Sequence, residues 1–324
     1  MTSDGLDIEA IRSAHDLIRE RIRRTPVMTS TTLDAMAGAK LFFKCENFQK
    51  TGAFKARGAT HAVFRLTDAE AARGVATQSS GNHGAALARA AGMRGIPAFV
   101  VMPRSAPRAK KASVERFGGR IVLCEPTLEA RDAAAARVVS ETGAAFVHPN
   151  NDLRVMAGQG TAAVELLEDV PDLDLILCPV GGGGLLAGTA VAAKSMRPGI
   201  RVVGVEPAGA DDASRSFAAG RRLPSDHPKS IADGLLAGLG DLTFPIIRDR
   251  VDDIVTVSEA AIVAAMQRIW EIMKIVVEPS AAVSYAALVG GAIKPAGMRV
   301  GIILTGGNVD LDSLPWMDPA ARKA

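Results

Sequence analysis

The chain has 324 residues, 48% of them hydrophobic and 23% charged, with a formal net charge of +3 at pH 7. That length allows one large or two ordinary domains with ample core. No apolar run is long enough for a membrane span, and a near-neutral, aromatic-poor chain offers nucleic acid no basic stripe or stacking platform. Three scattered cysteines (Cys45, Cys124, Cys178) lack metal-ligand spacing and read as reduced thiols. The N-terminus carries Asp7 and Glu9 and lacks a basic-then-apolar signal, so the expected compartment is the cytoplasm and the expected partner a small molecule.

In chain order, an acidic-to-basic helix is predicted over about 7–23, followed by Thr25-Pro26-Val27 and a strand over residues 40–45. A lysine-containing loop leads into a helix through 59–66. Units at 75–91 and 98–117 each read as a short apolar strand followed by an Ala-rich helix. Further strands are expected at 120–124, 172–179, 199–205 and 299–304. Short Val/Ile-rich strands separated by helical periodicity imply an α/β fold with parallel sheets covered on both faces. With no Pro/Gly-rich linker, two domains would require the chain to cross between them more than once.

Four segments carry chemistry. The first is Asn-Phe-Gln-Lys-Thr-Gly-Ala-Phe-Lys-Ala-Arg-Gly-Ala, residues 47–59, where Lys55 stands in small, apolar company. An amine that attacks a carbonyl must lose its proton near neutral pH. Desolvation favours that, as do neighbouring cations, a role expected of Lys50 and Arg57. The second, Thr77-Gln-Ser-Ser-Gly-Asn-His-Gly84, sets hydroxyls, an amide and free N–H groups at a helix start, suited to a carboxylate. The third runs from a buried strand into Gly181-Gly182-Gly183-Gly184 and a helix, an anion cradle suited to phosphate. The same residues satisfy the dinucleotide pattern G-x-G-x-x-A through Ala187, with Glu206 about 20 residues on as a ribose ligand, so an NAD-dependent dehydrogenase is the alternative from another class. The fourth, Ile302-Ile-Leu-Thr-Gly-Gly-Asn-Val-Asp310, places Thr305 at a strand's carboxyl end, where such sheets bind ligands.

Together these segments, with Ala-Gly-Gln-Gly-Thr at 157–161, resemble the fold-type-II pyridoxal-phosphate enzymes shaped like the tryptophan synthase β subunit. Within that group the chain looks most like the serine racemase and threonine/serine dehydratase branch. The resemblance implies two three-layer domains with mostly parallel sheets. Residues 1–73 and 149–324 would form the large, cofactor-holding domain, and 74–148 a small domain that closes over substrate. Lys55 would bind pyridoxal 5'-phosphate covalently and act as base, and Asn82 would face the cofactor's phenolic oxygen. Gly181, Gly182, Gly183, Gly184 and the Leu185 N–H would hold its phosphate, and Thr305 would face the pyridine nitrogen. Ser79, Ser80, Asn82 and His83 would receive the substrate carboxylate, with Ser80 as the opposite-face acid or base of a racemase.

The resemblance further implies a divalent cation (Mg²⁺, Mn²⁺ or Ca²⁺) held by Glu206, the Ala210 carbonyl and Asp212, and a homodimer. The expected reaction is dehydration of L-threonine and L-serine to a 2-oxo acid and ammonia, with serine racemisation alongside. His148-Pro149-Asn150 matches the racemase side of the branch and puts Asn150 at the site. Arg131 matches an arginine near the substrate mouth. Ala237 and Gly238 stand where serines are expected, so 3-hydroxyaspartate is the alternative substrate. Ala85 and Phe117 depart from the branch's nucleotide-effector pattern, so ATP activation is expected to be weak or absent.

Overall fold

The computed structural model describes residues 5–79, 81–106 and 108–317. Among them, ten strands form two sheets: β1 (Val27–Met28), β2 (Lys40–Cys45), β3 (Val75–Gln78), β4 (Ala98–Pro103), β5 (Arg120–Cys124), β6 (Ala145–Phe146), β7 (Leu175–Pro179), β8 (Arg201–Pro207), β9 (Asp253–Val257) and β10 (Arg299–Leu304). One sheet has six strands in the order β1-β2-β10-β7-β8-β9, and the other has four in the order β5-β4-β3-β6. Every pairing is parallel except that of β1 with β2.

Side chains alternate across each strand, so a sheet buried on both faces needs apolar residues at successive positions. β7 shows this directly. Ile176 and Cys178 join Val202 and Ile303 in a core under the helices Ile8–Ile18, Leu153–Asp169 and Gly184–Met196. Leu175 and Leu177 join Val203, Ile302 and Leu304 in a second core under Thr31–Ala37, Glu259–Arg268 and Pro279–Val289. The smaller sheet repeats the scheme. Val75, Val100 and Met102 face the helix Asn82–Arg94, while Ala76 and Val101 face Leu128–Thr142. The core of the smaller sheet also takes in Ala59, Ala62 and Val63 of the helix Lys55–Phe64, together with Val155, so that helix packs between the two sheets.

Several elements differ from the sequence expectation. The first helix ends at Ile18 rather than near residue 23, because the chain is drawn away where Arg23 N–H donates to Gln49 Oε1 at 2.9 Å. The helix expected at 59–66 begins at Lys55, since the buried Arg57 and Gly58 disguise its first turn. β7 starts three residues late, at Leu175, because the Asp174 carboxylate is spent on the Arg299 N–H at 2.8 Å. No helix among the described residues is long and apolar enough to cross a membrane.

Candidate active site

The carboxyl ends of β2, β10 and β7 lie side by side, with Leu304 registered against Cys45, and the segments following each strand meet there. Lys55 follows β2, Thr305 follows β10 and Gly181–Gly184 follow β7. The Phe54 N–H donates to Thr305 O at 2.9 Å and Ala53 bridges Gly306, which ties the start of the lysine helix to the end of β10. Lys55 Nζ donates to Pro149 O at 2.7 Å. Burial pushes its amine down to about 8. The expected help from neighbouring cations does not materialise. All five N–H donors of Arg57 are taken by Glu46, Glu165 and Thr161 beneath the site, and Lys50 contributes nothing to the shift.

The glycine segment is a tight cradle. Gly183 has φ +84°, a conformation that strains any residue with a Cβ, and it caps the helix Gly184–Met196. A Cβ on Gly182 would collide with the Asn150 amide, and one on Gly184 would lie 2.8 Å from Asn150 O. Asn150 thus packs directly on the cradle. Gly181 is equally confined, 2.8 Å from Leu235 Cα by the same measure. Leu185, buried in the first helical turn, adds one of the backbone N–H groups that a helix leaves unpaired at its start. Thr305 is buried, and its Oγ1 has no hydrogen-bond partner. A cradle of backbone donors, a buried orphan hydroxyl and a desolvated lysine amine suit the phosphate, ring nitrogen and aldehyde of pyridoxal phosphate.

Across the crevice, Ser79 ends the segment after β3, and its Oγ accepts the Gly81 N–H at 3.2 Å. Ser80 lies outside the described residues. Asn82 opens its helix with both ends of its amide assigned. Its Nδ2 donates to Glu278 Oε1 at 2.9 Å, and its Oδ1 accepts from Asn308 Nδ2 at 2.9 Å. Glu278 was not singled out from sequence. Burial and then Asp233 raise its carboxyl to about 7. An acid in the apolar run Ile-Val-Val-Glu-Pro was the signal available. His83 is buried, with Nε2 3.4 Å from Val147 O and Nδ1 unpartnered; burial and the Lys55 charge hold it well below its usual value, so it is neutral. Arg131, on Leu128–Thr142, has a buried Nε without a partner and no ion pair among the described residues. A cleft of about 1100 Å³ opens beside Asn82, walled by Lys110, Ser113, Asp233 and Asn308, and Lys55 lies outside it.

Glu206 and Asp212 come together at the end of β8. Glu206 accepts the Ser214 N–H at 2.6 Å and the Ala213 N–H at 3.2 Å, while Asp212 accepts the Leu239 N–H at 3.2 Å. Both are buried, and burial raises both carboxyls, that of Glu206 to about 8. Turned onto a helix start, Glu206 does not face a nucleotide crevice, and the ribose-ligand reading is withdrawn. Ala210 is buried in the intervening turn. No cluster of three His, Cys, Asp or Glu side chains able to hold a metal occurs among the described residues.

Residues 18–306 match the family model for pyridoxal-phosphate dependent enzymes. The chain is 54% identical to a beta-hydroxyaspartate dehydratase from Paracoccus denitrificans, covering 95% of this chain and 98% of that one. It is 50% identical to serine racemase from Arabidopsis thaliana, covering 95% of each. Among solved structures, maize serine racemase superposes with a TM-score of 0.94 at 49% identity, covering 97% of this chain and 96% of that one. A threonine deaminase from T.th. follows at 0.89 and 42% identity, covering 94% and 99%. The chain therefore belongs to the pyridoxal-phosphate dependent enzymes, in their fold-type-II group, which excludes the dehydrogenase alternative.

Proposed function

We propose that this enzyme dehydrates small β-hydroxy amino acids, L-threonine and L-serine foremost, to a 2-oxo acid and ammonia. The observation that carries the reading is the desolvated Lys55 amine, lowered to about 8, at the strand ends where the orphan Thr305 hydroxyl and the glycine cradle converge. Bound pyridoxal phosphate supplies an electron sink that acidifies the substrate α-proton. Lys55 takes that proton. The cradle at Gly181–Leu185 would hold the phosphate, and Thr305 would present a neutral hydroxyl that does not force the pyridine nitrogen to stay protonated; the β-hydroxyl would then leave as water, on the proton that Lys55 carries. Ser79, Asn82 and His83 border the place for the substrate carboxylate. In this reading residues 74–148 close over the substrate and expel water, and Ser80 serves serine racemisation.

Two features favour a second substrate, 3-hydroxyaspartate. Arg131 has no acid partner among the described residues, and Ala237 and Gly238 stand where the resembling branch carries serines. A relative named for that reaction is 54% identical. The test is 2-oxo acid and D-serine formation from L-serine, L-threonine and both 3-hydroxyaspartate diastereomers. Pyruvate or 2-oxobutanoate supports the leading reading, and turnover of hydroxyaspartate alone moves the assignment. In that case Arg131→Ala is expected to raise KM for hydroxyaspartate about tenfold or more, with serine little affected.

Glu206, the Ala210 carbonyl and Asp212 form an all-oxygen donor set suited to Mg²⁺, Mn²⁺ or Ca²⁺ with waters completing the shell. Neither carboxylate is salt-bridged among the described residues. Millimolar Mg²⁺ is expected to raise the melting temperature of the chelator-treated protein, and Asp212→Asn to abolish the rise. An unchanged melt in the wild type would remove the metal from this reading. The reading extends to a cytoplasmic homodimer, consistent with the exposed apolar side chains of Phe48, Val276, Leu311 and Met317.

A further inference from the structure

The segment 147–149 runs past His83 and Lys55. Val147 O lies 3.4 Å from His83 Nε2, and Pro149 O accepts from Lys55 Nζ at 2.7 Å. His148, between them, is oriented by its own chain. Its Nδ1 accepts the Asn151 N–H at 2.9 Å and the Asn150 N–H at 3.3 Å. The ring stands edge-on to Phe146, with centroids 6.2 Å apart at 72°. A ring nitrogen that accepts backbone N–H groups carries no proton, so the single proton of the neutral imidazole sits on Nε2. The surroundings favour that neutral form. Burial and then Lys55 lower the basicity of His148, while Asp152, Asp132 and Asp241 oppose them. No hydrogen bond from Nε2 occurs among the described residues.

We infer that His148 is a substrate-orienting residue whose Nε2–H donates a hydrogen bond to the oxygen on the β-carbon of the bound amino acid. The inference rests on the β-hydroxy amino acid reading above. The substrate's amino group goes to the cofactor, its carboxylate to the Ser79–His83 side and its α-proton to Lys55. The β-carbon is left for the wall that His148 shares with Pro149. His148 holds the hydroxyl without protonating it. Giving up the Nε2 proton would leave an imidazolate, and taking a second proton at Nδ1 would break both backbone hydrogen bonds. A residue that binds a hydroxyl in this way discriminates for it, because its absence leaves a polar group unpaired.

The test uses the holoenzyme and compares elimination from L-serine with exchange of the α-proton of L-alanine, which has no β-oxygen. His148→Ala is expected to lower kcat/KM for L-serine about tenfold, with a much smaller change in alanine exchange. His148→Gln, whose amide restores a donor, is expected to recover most of the loss. Nitrogen NMR of histidine-labelled protein is expected to show His148 neutral, with its proton on Nε2, at pH 7. Equal losses in both reactions would assign His148 to mere support of Lys55 and overturn the inference, as would a proton on Nδ1. A wild-type enzyme that exchanges alanine yet eliminates water from none of the β-hydroxy substrates would instead refute the substrate reading, and the inference with it.

Discussion

Lys55→Ala is expected to lower turnover at least about 10³-fold, since in the proposed role one substitution removes both the covalent anchor and the base. The purified variant should also lack the visible absorbance of covalently bound cofactor. Lys55→Arg should not rescue, because a guanidinium stays protonated in this pH range. The sign of the pH effect follows from the folded amine lying near 8, below the ordinary lysine value of 10.5. Below about 8 the fold carries a charged, desolvated amine, and that cost is relieved as pH rises from 8 toward 10.5. Lys55→Met should therefore stabilise the cofactor-free protein at pH 7, with the gain shrinking by pH 10. Covalent uptake of pyridoxal phosphate by the cofactor-free wild type should quicken as pH rises through 8. A flat pH profile for uptake, or a variant that retains turnover, would remove Lys55 from this role.

Arg57→Met is expected to destabilise the fold by about 3–5 kcal/mol, the usual consequence of leaving buried acids without their cation. Arg57 lies two positions beyond Lys55 in the same helix, and side chains at that spacing point to nearly opposite sides. Lys55 consequently faces the crevice while Arg57 faces down. Its Nε and Nη2 reach Glu46 at 2.7 and 2.8 Å, and Nη1 and Nη2 reach Glu165 at 2.8 and 2.7 Å. Lys44 Nζ adds a bond to Glu165 at 2.7 Å, Thr25 Oγ1 donates to Glu46, and His15 stands 3.5 Å from Glu165. Two cations and two carboxylates balance, so removing either sign leaves the other uncompensated. Arg57→Lys should recover little, because one ammonium cannot span both acids.

Against the opposing effect of burial, hydrogen bonds from His15 and Arg57 hold the Glu165 carboxyl well below its usual range. Its contribution is therefore complete above the unfolded-state value near 4.5 and is lost only as pH falls through the lower, folded value. Urea unfolding of Arg57→Met, Glu165→Gln and the double variant at pH 7 measures the coupling. A double variant no more stable than the sum of the singles would mean that the ions do not act as a unit.

Local chemistry makes the glycine cradle legible in the sequence. Glycine is required where φ is +84° at Gly183 or where a neighbour excludes a Cβ, as Asn150 does at Gly182 and Gly184, so four glycines after an apolar strand mark a backbone cradle by themselves. Strand alternation and buried Val/Ile runs likewise announce parallel sheets. Helix starts are less legible: the first turn of Lys55–Phe64 contains Arg57, whose charge looks solvent-facing until its acids are found.

The sequence by itself determined the parallel α/β class and singled out the glycine cradle, Lys55 and Thr305 that the proposed function uses, because each is written in a contiguous segment whose backbone or side-chain demands are local. Tertiary structure alone decided what surrounds them. It moved Arg57 from cationic neighbour of Lys55 to the buried cluster with Glu165, 108 positions away, and turned Glu206 onto a helix start. It also set Glu278 against Asn82 across 196 positions and fixed the tautomer of His148 through two backbone N–H groups. The physical reason is common to all four. A titratable group takes its charge and role from burial and partners, and only the folded chain decides which distant residues supply them.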